Sequence, residues 1–343
     1  MNETNSRFST LCKYAEPESV IAKTVKLMTC LVLGAFGIFG NVFVIVLAVK
    51  YTVTKSMHFL IINLAVANIL FVIFHVQRYI TDNFLTNGIS GHTDLTVAQI
   101  LCKTLPFLYY VFGVQTLVTL LVISIERYRI TTRVSLTSSQ PSGKRRGIVI
   151  AGCWLVTMIM NTDTLIFDHI EIIDSELICI RSYMGEENTL KVIIFTILLT
   201  LNMTYYFIMV LLSFLTLRRL SKAQPIEESL SELQRQQRRK RIRNSVKMVL
   251  YSLLLYSCGF LPFAIAHVID CQCSNCRDLP TLFFFTWYFP PLFSFCLSPC
   301  IYCICLSDFR EAARRLLCGN TGIHFLRGSS IAPTTRRNEN TDM

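Results

Sequence analysis

Charge is scarce in this sequence: Asp, Glu, Lys and Arg make up 16% of its 343 residues, while 52% are hydrophobic and the mean hydropathy is +0.48. That shortage excludes an ordinary soluble domain, whose surface carries about 25% charged residues. A bilayer core ~30 Å thick asks for about 20 apolar residues per helix. Six runs free of acidic and basic residues meet it: Leu27 to Val49, Ser56 to Gln77, Thr104 to Ile125, Val192 to Leu217, Met248 to Ile269 and Leu279 to Ser307. A seventh, Gly147 to Phe167, is interrupted only by Asp163 near one end. Catalytic groupings are also lacking, since no span carries paired acids, a nucleophile motif or His-rich metal spacing. No enzyme activity, catalytic residue, metal or cofactor is therefore expected. A transporter, the main alternative class, would be expected to show inverted repeats and helices interrupted near the midplane, and no such duplication is visible. The opening MNETNSRFST has neither the basic head nor the apolar run of a cleavable signal peptide, so the first span is expected to serve as the targeting signal.

What charge there is has a side. Cytoplasmic loops accumulate Lys and Arg, and 24 of the 33 basic residues fall on one face of a seven-span topology, with 8 of the 22 acids. The first tail lies on the other face, so the N-terminus is expected outside and the C-terminus in the cytoplasm. The basic excess reads as topology, and nucleic acid is not an expected partner. The predicted fold is an all-α integral membrane bundle of seven transmembrane helices followed by a short amphipathic surface helix. Its parts are an extracellular tail over 1–26, the spans over 27–307, the surface helix over 308–318 and a disordered tail over 319–343.

Six of the fourteen cysteines fall on the outer side: Cys12, Cys102, Cys179, Cys271, Cys273 and Cys276. An even number in an oxidising compartment allows up to three disulfides. Cys102 sits at the outer mouth of span three and Cys179 in the loop after span four, so a bridge there would tether that loop across the mouth. The Cys271, Cys273 and Cys276 cluster superficially resembles a metal site, but outside the cell disulfides are the better reading. Cys12 can pair with any one of these three, leaving two to close a small ring. Cysteines inside the spans, including Cys296, Cys300, Cys303 and Cys305, read as small apolar packing residues. Cys318 follows a stretch whose Phe309, Ala312, Ala313, Leu316 and Leu317 form one apolar helical face beside Arg310, Arg314 and Arg315, which makes it a palmitoylation candidate. Asn2 begins a glycosylation sequon.

Polar residues inside spans cost free energy and call for a reason. Asn41, Asn63, Asn68, Ser124, Ser294 and Ser298 can hydrogen-bond across the bundle, and the plain reading is helix glue worth about 1 kcal/mol per contact. Pro262, Pro290, Pro291 and Pro299 are expected to kink spans six and seven. At the inner end of span three stands Glu126-Arg127-Tyr128. Alone it would read equally as interfacial snorkelling.

Gly40-Asn41, Asn63-Leu64-Ala65-Val66-Ala67, Cys102 followed 25 residues later by Arg127, Trp154, Cys179, Pro262 and Ser298-Pro299-Cys300-Ile301-Tyr302, with Phe309 beyond, occur in one order along the chain. In that ordered combination the sequence resembles the rhodopsin-like G-protein-coupled receptors over roughly residues 25 to 318. The resemblance implies a plasma-membrane receptor that binds an extracellular ligand and activates a heterotrimeric G protein, with arrestin and a receptor kinase as further partners. It also implies that Glu126 holds Arg127 at rest, that span six swings outward on activation, and that Tyr302 then moves inward. Departures mark a divergent member. Asn68 stands where the family has an Asp and Ser298 where it has an Asn, so sodium regulation is not expected. Phe260 replaces the span-six Trp, Tyr256 stands where Phe is common, span five has no proline, and Val134 replaces an inner-loop proline.

Ligand classes are narrowed by what is missing. Span seven has no lysine for a retinal Schiff base, and span three has no acid for a protonated amine. The outer-half candidates are His75, Arg78, Tyr109, Tyr110, Phe263, His267, Asp270, Phe284 and Tyr288, rimmed by Asp168, Glu171, Asp174, Glu176, Glu186 and Glu187. A peptide with basic character suits such a mouth, and a small molecule or lipid is the alternative.

Overall fold

The computed structural model describes residues 19–52, 56–81, 95–132, 143–173, 176–181, 189–221, 231–272 and 284–317. Helix α1 spans Val20–Leu47 and runs into a π-helical turn, Ala48–Thr52; α2 is Ser56–Ile80 and α3 is Leu95–Thr132. Span four is α4, Gly143–Met160, broken at Asn161 from the short α5, Thr162–Phe167. A hairpin follows, β1 Asp168–Ile173 against β2 Glu176–Arg181, antiparallel, with Ile170 opposite Cys179. Then come α6, Thr189–Leu220, and α7, Glu232–Gln272. A second π-helical turn, Phe284–Tyr288, leads into α8, Phe289–Cys305, and α9, Ser307–Leu317, turns away from it by 96°. Among the described residues, six helices are long and apolar enough to cross a membrane, and the bent α8–α9 pair brings the number to as many as seven.

The burial pattern is that of a bundle turned toward lipid. Large apolar residues such as Phe39 (76% exposed), Phe207 (69%) and Leu254 (62%) look outward, while Asn41, Asn68, Gln115 and Thr119 are wholly buried. In water this arrangement would be costly; in a bilayer the backbone is satisfied within each helix and the polar side chains find partners inside. Close approach is built in where α1 meets α8. A Cβ on Gly37 would stand 2.6 Å from Cys296 Sγ, and one on Gly40 would stand 3.0 Å from the Pro299 ring. Small residues at such a crossing let two backbones gain dispersion contact that larger side chains would prevent. On the other side of α8 a Cβ on Gly259 would collide with Ser294 and lie 3.1 Å from the Pro290 carbonyl.

Several expectations are corrected. Pro290 and Pro291 lie in the first turn of α8, where the π turn gives way to α register, instead of breaking a helix interior. Missing N–H groups cost least at such a start. Pro262 and Pro299 are interior, and so is Pro106 of α3, which was not among the expected kinks. Ser124 does not bridge helices: its hydroxyl donates to Leu120 O at 2.9 Å on its own helix. In α9, Phe309 and Ala312 are buried whereas Leu317 is 76% exposed.

Candidate functional site

The bundle has two differently built ends joined by a buried column. At one end the hairpin is pinned to α3 twice. Cys102 and Cys179 form a disulfide with Cα atoms 5.6 Å apart, and Ile170 N–H donates to Gln99 Oε1 at 3.0 Å. Beside it lie six of the nine residues singled out for this mouth. His75 Nε2 is 2.8 Å from the Tyr288 backbone oxygen. A carbonyl can only accept, so Nε2 carries a proton, while Nδ1 is buried with no hydrogen-bond partner among the described residues. The Arg78 guanidinium lies over the rings of Tyr109 (5.1 Å) and Tyr110 (5.7 Å). Phe284 meets Tyr79 at 5.6 Å, and Tyr288 meets Tyr79 at 4.8 Å, both edge-on.

These rings pack against one another. His75, Tyr109, Phe284 and Tyr288 are all nearly fully buried, so they form the floor of the mouth, with Arg78 and Tyr110 half-exposed above. Sequence reasoning missed Tyr79 and Lys26; the latter is 8% exposed on α1 with its ammonium 5.5 Å from the Phe284 ring. A lysine just past a helix start gives no sign in sequence that it turns inward. Asp168, expected at the rim, is buried at 3%. Phe263, His267 and Asp270 belong to α7, but their side chains lie outside the described residues, as do those of Glu171 and Glu176. Cys271 lies in the last turn of α7 with its side chain likewise outside them; Asn2, Cys12, Val134, Asp174, Glu186, Glu187, Cys273, Cys276 and Cys318 lie outside the described residues altogether.

Below the floor, the rings continue. Phe71 stacks on Phe295 (3.7 Å) and meets Tyr109 (5.0 Å) and Phe260 (6.1 Å). Phe260 in turn stacks on Tyr256 at 4.3 Å. Phe71 and Phe295 were not anticipated, because an aromatic inside an apolar run carries no signal beyond core. Gly113 faces this junction, where a Cβ would meet Phe71 and Phe260 at ordinary contact distances of 3.4 and 3.5 Å.

The next layer is polar. Asn68 Nδ2 donates to Asn41 Oδ1 (3.1 Å), Thr116 donates to Asn68 Oδ1 (3.1 Å), and the Tyr302 hydroxyl interacts with Asn68 and Ser298. Four helices therefore meet at one amide, where the sequence resemblance leads one to look for a carboxylate. Ser294 donates to Leu255 O on α7 at 2.7 Å, and Ser298 back to Ser294 O at 3.2 Å. A parallel chain links α2, α3 and α4: Trp154 Nε1 donates to Asn63 Oδ1 (2.9 Å), Asn63 Nδ2 to Thr119 (2.9 Å), and Thr157 to Gln115 Oε1 (3.1 Å). Cys296 Sγ lies 3.0 Å from Leu33 O, so this span cysteine also ties α8 to α1.

At the far end, Arg127 Nη2 stands 3.7 Å from Glu126 Oε2, with the two side chains 12% and 23% exposed. The neighbouring Tyr128 ring has the Arg219 guanidinium over it at 4.8 Å. Arg238 Nη2 donates to Ile130 O at 3.1 Å, which links α7 to the last turn of α3. Leu220, Ile242 and Val246 form a small buried cluster with Ile130, Leu217 and Leu250 around that contact. Behind it, His58 lies 3.9 Å from Asp308, with its ring edge-on to Phe309 at 5.6 Å, so α9 is docked on α2.

The 7 transmembrane receptor (rhodopsin family) pattern matches residues 40–302, from Gly40 through Tyr302. This chain belongs to that family and is a multi-pass membrane protein. Among its relatives are a QRFP-like peptide receptor of Branchiostoma floridae, 27% identical over 261 residues, and melanopsins of Podarcis siculus (33% over 131) and Rattus norvegicus (29% over 134). The first match covers 73% of this chain and 65% of that receptor, and each melanopsin match covers 37% of this chain and 26% of the relative.

Proposed function

We propose that this chain is a plasma-membrane receptor, N-terminus outside and C-terminus in the cytoplasm, that binds a peptide at the Cys102–Cys179 end and activates a heterotrimeric G protein at the Arg127 end. The observation that carries it is the contrast between the two ends of one bundle. A disulfide-pinned hairpin and an aromatic floor frame one mouth, while at the other Arg127 sits behind an α3–α7 contact made of one side-chain hydrogen bond and a small apolar cluster. A face closed by contacts of this kind can be opened by differential ligand binding of a few kcal/mol.

The lopsided basic residues, 24 of 33 on the Arg127 side, support the orientation. The printed name of the amphioxus relative, a peptide receptor, supports the ligand class. In this reading the half-exposed Arg78 and Tyr110, above the floor that His75 helps to form, meet the ligand. Glu126 and Arg127 form the resting pair, Phe260 and Pro262 transmit the ligand's push along α7, and Ser298, Pro299 and Tyr302 rearrange around Asn68. Arrestin and a receptor kinase would use the same inner face once it opens. The test is a peptide-library screen of cells carrying this chain, read with several G-protein sensors. A peptide response that Arg127→Ala removes without lowering surface delivery supports the proposal. Solute movement into vesicles by the purified chain, with no G-protein response to any peptide, refutes it.

A further inference from the structure

Between the floor of the mouth and the bundle below, span seven has a joint. The π turn Phe284–Tyr288 leads into α8 through Pro290 and Pro291. Neither proline has an N–H, so neither can donate back to the preceding turn in α or π register, and the backbone ladder is interrupted there. Side chains from outside must set such a joint. Here one comes from α2: His75 Nε2–H donates to the Tyr288 carbonyl at 2.8 Å, and His75 is 1% exposed. The ring of Tyr288 belongs to the floor, edge-on to His75 at 5.7 Å and to Tyr79 at 4.8 Å. One residue therefore carries both the carbonyl that His75 holds and a ring that an occupant of the mouth would press. Below it the imidazole stacks on Phe71 (5.4 Å, 25°), and Phe71 stacks on Phe295 (3.7 Å, 18°), about two turns farther along α8. Phe295 meets Phe260 of α7 at 6.0 Å, and its neighbour Ser294 ties α8 to α7 at Leu255 O.

From this arrangement we propose that the hydrogen bond from His75 to the Tyr288 carbonyl is a lock on the joint of span seven. While it is made, the π turn is held at a fixed angle to α8. When the Tyr288 ring is displaced, its carbonyl leaves His75, the π turn shifts against α8, and the His75–Phe71–Phe295 stack passes the change to α7. His75 is a positioning residue in this account, since it acts through Tyr288 and Phe71 and meets no ligand itself. That a ligand does the displacing rests on the receptor reading above; the lock does not. One neutral hydrogen bond biases such a joint about fivefold, a bias that a ligand favouring the released form can offset.

The test needs neither a peptide nor a G protein, so this proposal and the receptor reading can fail separately. The full chain is reconstituted in lipid discs with trifluoromethylphenylalanine at one of two exposed positions, Phe285 on the π turn (54% exposed) or Tyr251 on the inner half of α7 (49%). Fluorine NMR counts the populations at each label. His75→Phe keeps a ring against Phe71 and removes the donor; it should raise the minor population at Phe285 about fivefold and move Tyr251 in the same direction. His75→Gln, which keeps an N–H, should bring the Phe285 populations back toward wild type. Incorporating α-hydroxyphenylalanine at position 289 replaces the Tyr288–Phe289 amide by an ester and weakens the Tyr288 carbonyl as an acceptor. The ester should shift the Phe285 populations as His75→Phe does and add little in the His75→Phe background. Thermal unfolding identifies folded material. Populations indifferent to His75→Phe in folded protein, or His75→Gln as disruptive as His75→Phe, would overturn the lock. So would an ester without effect, even where His75→Phe fails to fold. A shift at Phe285 with none at Tyr251 would overturn the link to α7.

Discussion

Removing the Arg238 guanidinium should open the inner face. In the structure it donates to the Ile130 carbonyl at 3.1 Å, one of the last-turn carbonyls of α3 that have no partner within their own helix. A hydrogen bond from a charged donor contributes about 1.5–3 kcal/mol. Arg238 is partly solvated, so the lower end applies, and about 1.4 kcal/mol is a tenfold change in an equilibrium. If the contact exists only in the closed form, Arg238→Ala shifts the closed-to-open ratio roughly tenfold, which takes an open share of ~1% to about 9%. Two assays of reconstituted protein without ligand measure this: nucleotide exchange on added G protein, and energy transfer between fluorophores at the inner ends of α3 and α7. Both should report more open receptor, with exchange up about tenfold, and Arg238→Lys should retain part of the effect. An open fraction that rises less than twofold, counted as a resolved population in single-molecule energy transfer, at unchanged thermal stability, would refute the latch. A drop in exchange with the distance change intact would instead assign Arg238 to the G-protein contact.

The amide at position 68 makes a second test. Replacing Na⁺ with an organic cation should leave wild-type melting unchanged, whereas Asn68→Asp should make melting rise with Na⁺, because the carboxylate joins the Asn41 and Thr116 oxygens already beside it. A sodium-dependent wild type would show that Asn68 is no substitute for a hydrogen-bonded plug. Gly37→Ala forces a methyl to within 2.6 Å of Cys296 Sγ, and overpacking of this kind costs about 1–3 kcal/mol, read as a lower melting temperature in detergent. Trp154→Phe leaves Asn63 Oδ1 without the indole donor 2.9 Å away and should destabilise by about 1–2 kcal/mol while ligand response, once found, keeps its potency.

Charge-free runs located the spans because the solvent imposes that pattern, but they did not set the helix ends. Helix α3 begins at Leu95, before the run that starts at Thr104, and α7 begins at Glu232, well before Met248. Helical hydrogen bonding does not stop at the lipid boundary, and Arg, Gln and Lys are good helix formers in water. The hairpin segment reads as a loop in the sequence analysis, although Ile170 and Ile172 on one strand and Ile178 and Ile180 on the other each carry a two-residue alternation. At the site, Arg127, Tyr302 and the cysteine pair stood out through motifs. Their partners did not: which amide Tyr302 meets, which carbonyl Arg238 reaches, and that Lys26 turns onto Phe284 depend on residues far apart in sequence. The burial of Asp168 and the filling of the mouth by its own aromatic floor are tertiary in the same sense.

Coupling between the two ends is tested most directly by nucleotide exchange on purified heterotrimeric G proteins added to the reconstituted full chain, with peptide pools as the variable. The expected result is a peptide that accelerates exchange on at least one G protein in wild type and fails to do so in Arg127→Ala that still binds the peptide. A peptide that binds tightly at the Cys102–Cys179 end yet leaves exchange unchanged on every G protein, or accelerates it equally without Arg127, would contradict it.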